Sequence, residues 1–269
     1  MMTIRCSIVS LIAIGVGLCA ACSSTATAPT QELRRVLAPT GKLRVGVYQG
    51  SPTSIVGDAA SGDAKGVGFD LGKELARRAG VPFEPVVYSK NADVLAAVKS
   101  GAVDMSFTNA TPARMKDMDF SRSMVEVEQG YLVPPGSTIA GVSDVDRSGI
   151  RVGVSEGSTS EGTLSRELKK AMVVRTPTLR AAVEMLAGGQ LDAFATNKAI
   201  LYQMSDALPG SRVLDGRWGL EHFGIAIPKG RQAAMAFIDT FAADAKAEGL
   251  VTRAVERASL RGAVTSESH

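Results

Sequence analysis

The chain has 269 residues, 45% of them hydrophobic, and a formal net charge of +3. That length and apolar content provide for one or two globular domains with ample core. The charge is small and scattered, with no Lys/Arg run and no aromatic–basic interleaving, which argues against a nucleic-acid partner.

The leader comes first in chain order. Arg5 precedes "IVSLIAIGVGLCAA", an apolar run of 14 residues. A membrane-spanning helix needs about 20 residues, so this run fits a signal-peptide core instead. Its end, Ala20-Ala21-Cys22, resembles a bacterial lipobox with cleavage before a lipidated Cys22. An ordinary cut after "ATA", Ala26 to Ala28, is the alternative, and both imply export to the periplasm. All three cysteines, Cys6, Cys19 and Cys22, lie in this leader. The body therefore carries no disulfide and no thiolate metal site, and its stability must come from a packed core.

Two internal echoes organise the body of the chain. "RVGVYQGS" (44 to 51) returns as "RVGVSEGS" (151 to 158). "GAVDMSFTNA" (101 to 110) returns as "GQLDAFATNK" (189 to 198). Repetition of this kind marks two units built to one plan. In the first unit, "LRVGVY" reads as a strand, "FDLGKELARRAG" as a helix, "VPFEPVVY" as a strand, "ADVLAAVKSG" as a helix and "VDMSFT" as a strand. In the second, "IRVGVS", "VVRT" and "LDAFAT" read as strands around the helices "TSEGTLSRELKKAM" and "TLRAAVEMLAGG". Each unit is βαβαβ, which implies a mostly parallel sheet flanked by helices. Right-handed crossovers bring all strand C-terminal ends to one edge, where open α/β sheets bind ligands. Ser51, Asn109, Ser158 and Asn197 fall on that edge.

The expected boundaries are 1–22 for the leader, 23–39 for a tether, 40–132 with 229–262 for lobe one, 133–228 for lobe two and 263–269 for a tail. "GYLVPPGST" (130 to 138) and "FGIAIPKGR" (223 to 231) would join the lobes as a double hinge that permits closure. "RQAAMAFIDTFAADAKAEGLVTRAVERASL" reads as two helices split near Gly249, covering lobe one.

Candidate chemistry concentrates in two stretches. In "TPARMKDMDFS", Thr111-Pro112 reads as a helix start that would aim Arg114 at the cleft. A guanidinium there suits a carboxylate, and the plainer alternatives are an ion pair with Asp117 or Asp119, or a solvated surface arginine. In "SEGSTSEGT", Ser158, Thr159 and Ser160 sit at a helix N-terminus, which favours an anion or simply caps its own helix. "GVGFDLG" lacks the dinucleotide spacing, so its glycines are expected to serve packing. Glu221 and His222 are expected to be structural partners near the hinge. Trp218 is either a ligand platform or a packed side chain. Met115, Met118, Met172 and Met185 are expected in the core. No cofactor is expected, and no Ser–His or Cys–His constellation supports a hydrolase.

The segments "GFDLGKELARRAG", "LAAVKSGAVDMSFTNATPARMKDMDFS", "IRVGVSEGSTS", "LAGGQLDAFATN" and "GIAIPKG" together resemble the family 3 extracellular solute-binding proteins, the polar amino-acid receptors of ABC importers. The resemblance runs from about residue 40 to 260, and Thr111, Pro112, Arg114, Phe120 and Ser121 carry its most specific pattern. It implies two α/β lobes, an exported and monomeric receptor, an inner-membrane permease as partner, and a small carboxylate-bearing ligand. It casts Arg114 as the grip on the ligand's α-carboxylate, with Asn109 and Thr111 beside it. Ser158 and Thr159 would serve the same carboxylate from lobe two, and Tyr48 and Ser51 would touch the ligand's body. The sequence departs from the family at Asn197, where relatives usually carry an aspartate that pairs with the ligand's ammonium. Either another acid takes that part, with Glu156 and Glu161 as candidates, or the ligand is not an ordinary α-amino acid. The expectation is a non-enzymatic receptor. The alternatives are an enzyme on the same fold, such as a cyclohexadienyl dehydratase, and a sensor or assembly protein.

Overall fold

The computed structural model describes residues 30–264. The leader, Cys22 and the last five residues lie outside the described residues. The expected tether is shorter than 23–39, because α1 (Gln31–Leu37) begins at Thr30, whose hydroxyl accepts the Leu33 N–H at 3.2 Å. Leu37 is buried, and α1 packs beside α7 (Gln232–Ala247). An apolar side chain with a core to enter does not stay in a solvated linker.

The first unit follows the expected order. It comprises β1 (Leu43–Tyr48), α2 (Val67–Ala79), β2 (Phe83–Tyr88), α3 (Asn91–Ser100) and β3 (Met105–Asn109). Gly80 and Gly101 end the two helices in the left-handed conformation, at φ 66° and 75°, where a side chain would strain the chain. The glycines of "GVGFDLG" are packing residues. A Cβ on Gly68 would stand 2.8 Å from that of Phe107, and one on Gly72 would stand 2.9 Å from Val45.

The second unit comprises β6 (Arg151–Ser155), α4 (Thr159–Glu167), β7 (Met172–Thr176), α5 (Leu179–Ala187) and β8 (Ala193–Asn197). It continues into α6 (Lys198–Ala207), which the expected elements did not include. β4 (Met118–Phe120), β9 (Arg212–Val213) and β11 (Ala263–Val264) are short edge pairings. β11 lies against β5 (Val125–Val133), so order extends past the expected end at 262. α8 (Leu250–Arg257) follows α7 after Gly249, as expected.

All strands join one mixed sheet in the order β2-β1-β3-β10-β5-β8-β6-β7, where β10 is Gly219–Pro228. β1, β2 and β3 are parallel, as are β6, β7 and β8. Among the described residues, strand pairing connects the two groups only through β5 and β10, which run antiparallel to them. β5 pairs with β10 over Val125 to Gln129 and with β8 over Gln129 to Leu132. β10 reaches back to β3 over Phe223 to Ala226. Two long strands therefore cross between the halves, beginning earlier in the chain than the proline-bearing ends of the expected hinges.

The echoes have a shared physical cause. Arg44, on β1, gives its Nε and Nη2 to Asp104 and its Nη2 to the Gly101 carbonyl, while Asp104 also accepts the Arg44 N–H. Arg151, on β6, repeats each of these contacts with Asp192 and Gly189. The arginine of one echo is thus tied to the glycine and aspartate of the other. The copies differ in burial. The Asp104 side chain is fully buried and takes a second guanidinium, Arg231, at 2.9 Å, whereas that of Asp192 is 30% exposed. Two of the expected core methionines prove exposed, Met115 at 46% and Met172 at 62%, because each sits on a surface turn or sheet edge.

Candidate functional site

The strand ends of both halves face each other across a cavity of about 50 Å³. Tyr48 and Ser51 reach it from β1 and its following loop, Asn109 from β3, Ser158 and Thr159 from the start of α4, and Asn197 from β8. Arg114 also lines it, although the expected helix at Thr111-Pro112 is only a 3₁₀ turn over Arg114–Lys116. Thr111 does not line this cavity. Its hydroxyl accepts the Arg114 N–H at 3.2 Å and so fixes the turn that carries the arginine. Seven of the eight sequence-derived residues are thus gathered in one place, and the eighth supports a neighbour.

The halves are in contact around the cavity. The Asn109 Nδ2 donates to Thr159 Oγ1 at 3.1 Å, and the Asn91 Nδ2 donates to the Gly157 carbonyl at 3.2 Å. The Tyr48 and Ser155 hydroxyls stand 3.5 Å apart. Burial raises the Tyr48 phenol, which stays neutral at any ordinary pH.

Arg114 does not pair with Asp117 or Asp119. Its Nη1 donates to Thr108 Oγ1 at 2.9 Å and to the Asn109 carbonyl at 3.1 Å, and its Nη2 reaches the Gly157 carbonyl at 3.5 Å. Asp117 pairs with Lys99 and Asp119 with Lys229. Loss of hydration pushes the Arg114 guanidinium below its ordinary value, opposed by the charge of Glu221. Ser158 caps α4, accepting the Glu161 N–H at 3.0 Å.

Glu221 is the residue that sequence reasoning misassigned. It is 6% exposed, lines the cavity, and is not the partner of His222, which pairs with Glu126 at the surface. Its Oε2 accepts from Asn197 Nδ2 at 3.0 Å, and its Oε1 accepts from Gln129 Nε2 at 3.2 Å and Asn109 Nδ2 at 3.4 Å. Burial raises its pKa, while Arg114, the Asn197 and Asn109 amides and the Thr159 hydroxyl oppose that rise. The signal available in the sequence was alternation. In "GLEHFG", Glu221 and Phe223 share a strand face, and both line the cavity.

Asn197 also differs from expectation. Its Oδ1 accepts the Ile200 N–H at 3.2 Å as the N-cap of α6, so its acceptor is used within the helix. It offers the cavity a donor, and that donor goes to Glu221. Neither Glu156 nor Glu161 lines the cavity. Glu156 is exposed, and Glu161 accepts the Gly157 N–H and pairs with Arg175. Trp218 is packed against Tyr131, with ring centroids 6.1 Å apart, and donates to the Gly130 carbonyl, away from the cavity.

The chain is similar to known proteins in sequence and in fold. The profile of the bacterial extracellular solute-binding proteins, family 3, matches residues 43–258. The glutamine-binding protein of a Bacillus subtilis ABC transporter is 28% identical over 197 residues, covering 71% of each chain. Among solved structures, an ancestral arginine-binding protein bound to glutamine superposes with a TM-score of 0.72 at 27% identity, over 81% of this chain and 97% of that one. An ancestral amino acid-binding protein, a precursor of cyclohexadienyl dehydratase, superposes with a TM-score of 0.73 at 26% identity, over 84% and 98% of the two chains.

Proposed function

Because the chain belongs to the bacterial extracellular solute-binding proteins, family 3, we propose that it is the receptor of an ABC importer. It captures a small amino acid or a close carboxylate analogue between its two halves and presents the closed form to an inner-membrane permease. The observation that carries this function is Arg114. A guanidinium with only neutral oxygens as partners, at the wall of a cavity, suits a carboxylate, which supports this reading. Thr159, at the start of α4, stands across the cleft to share that carboxylate. The names of the relatives agree with such a ligand, since each is described as binding an amino acid.

At about 50 Å³ the cavity admits only a handful of non-hydrogen atoms, so the halves must part to admit an amino acid as much as a cyclohexadienyl substrate. The receptor is exported and acts as a monomer, with Cys22 as its lipid anchor. Replacement of Cys22 by serine should release it into the soluble periplasmic fraction.

The receptor function is tested by thermal melting against the twenty amino acids and short monocarboxylic acids. A ligand at 100 times its dissociation constant adds about 2.7 kcal/mol, which is several degrees for a small domain and a few for one this size. A shift with at least one amino acid, lost in Arg114→Ala, is expected. No shift with any of them would refute the proposal.

A further inference from the structure

Two opposite charges face this cavity without touching each other. The hydrogen bonds of Arg114 all end on neutral oxygens, those of Thr108, Asn109 and Gly157. Those of Glu221 come from the neutral amides of Asn109, Gln129 and Asn197. Among the described residues, neither charge has a partner of opposite sign within ion-pair distance. Charges held this way in a desolvated place are costly unless something pairs them.

A ligand with one carboxylate and one ammonium would pair both. A simple carboxylate would satisfy Arg114 but bring a second anion beside Glu221. A simple amine would do the reverse. The charge balance of the cavity therefore selects a net-neutral zwitterion. Asn197 is a weaker partner for the ammonium than Glu221, because its oxygen carries no charge and already gives one lone pair to cap α6, and its amide faces Glu221. The carboxylate of Glu221 has about four acceptor positions. Its bond from Asn109, at 3.4 Å, is long, and the Thr159 hydroxyl can rotate away, so an ammonium can displace a weak donor.

Given the receptor function proposed above, we propose that Glu221 is the specificity-determining acid of this cavity. It accepts the α-ammonium of an amino acid whose carboxylate lies on Arg114, in place of an acid at position 197. The two positions share a single negative charge. Asn197 Nδ2 stands 3.0 Å from Glu221 Oε2, so aspartate at 197 would set two carboxylates against each other. That coupling makes a charge exchange possible. Asp caps a helix about as well as Asn, and glutamine at 221 can donate to it.

The experiment is calorimetric titration of the mature protein with L-alanine and with L-lactate, which replaces the ammonium by a hydroxyl. If the melting screen selects another amino acid, that amino acid and its des-amino acid are the pair. Wild type should bind the amino acid at least 30-fold more tightly than its counterpart. Glu221→Gln should weaken the amino acid at least 30-fold and bind the counterpart as tightly as wild type or more tightly, because the second anion is gone. The Asn197→Asp/Glu221→Gln double variant should return the amino-acid affinity to within tenfold of wild type. Equal binding of the two probes by wild type overturns the proposal, and so does equal weakening of both in Glu221→Gln. Failure of the exchange in a double variant that melts like wild type also overturns it. If the double variant does not fold, the ratio of the two probes in Glu221→Gln decides alone. Failure of both probes to bind wild type instead refutes the receptor function itself.

Discussion

Asp104 and Asp192 form an internal control for the energetics of the fold. Each accepts the N–H, Nε and Nη2 of the arginine that opens the first strand of its unit. Asp104 is fully buried and also accepts Arg231 Nη1 at 2.9 Å, while Asp192 is partly solvated and has no second guanidinium among the described residues. Replacing Asp104 with asparagine leaves two guanidinium groups, 20% and 16% exposed, facing an amide in place of a carboxylate. Removing one partner of a buried charge network costs about 3–5 kcal/mol. That is roughly 100-fold or more in the unfolding constant. Asp192→Asn should cost less than half as much, because water can replace what the carboxylate supplied. Urea unfolding of the mature protein, followed by far-UV circular dichroism, measures both. Trp218, the single tryptophan, lies in the second half and reports whether the halves unfold together. Equal losses for the two variants, or a loss for Asp104→Asn below about 1.5 kcal/mol, would refute the claim that burial sets the difference.

Three further outcomes are expected. Arg114→Lys keeps the charge but loses the planar fork, so L-alanine binding measured by calorimetry should weaken about 10- to 100-fold without large loss of stability. The pH dependence comes from the raised Glu221 pKa. For an acid raised on folding, the folded state takes the proton first, so its favourable contribution to ligand-free stability is lost as pH rises from the unfolded value through the raised one. Amino-acid binding runs the other way, because the ammonium needs the carboxylate. Affinity should fall as pH drops through the raised value, and a profile from pH 8 down to about 4 should be flat in Glu221→Gln. Trp218→Phe should leave ligand affinity within about threefold of wild type, since the indole packs on Tyr131 and not in the cavity. A larger loss in the same titration would return Trp218 to the binding surface.

Much of this protein is legible in its sequence because the relevant signals are local. The alternation of "LRVGVY" and the helical spacing of "FDLGKELARRAG" need no distant partner to be read. The doubled Arg-Val-Gly-Val and Thr-Asn patterns imply two βαβαβ units. Strand polarity alone then puts Ser51, Asn109, Ser158 and Asn197 on one edge. The direction of Arg114 is set by its place after a strand end, even though the helix expected there is a single 3₁₀ turn.

The features that the sequence leaves open depend on contacts between residues far apart in the chain. Glu221 stands next to His222 in sequence, which suggests a local pair. In space its neighbours are Asn109, Gln129 and Asn197, brought together by two strands that cross between the halves. Asn197 offers an acceptor on paper, but one lone pair of that oxygen caps α6, a helix that the expected βαβαβ unit did not include. The internal echoes and periodicity thus determined the two-lobed architecture, and the family resemblance singled out Arg114. Only the tertiary structure decided which acid shares the cavity with it, because burial and charge pairing are set by the register of β10 against β3 and β5, which no local pattern encodes.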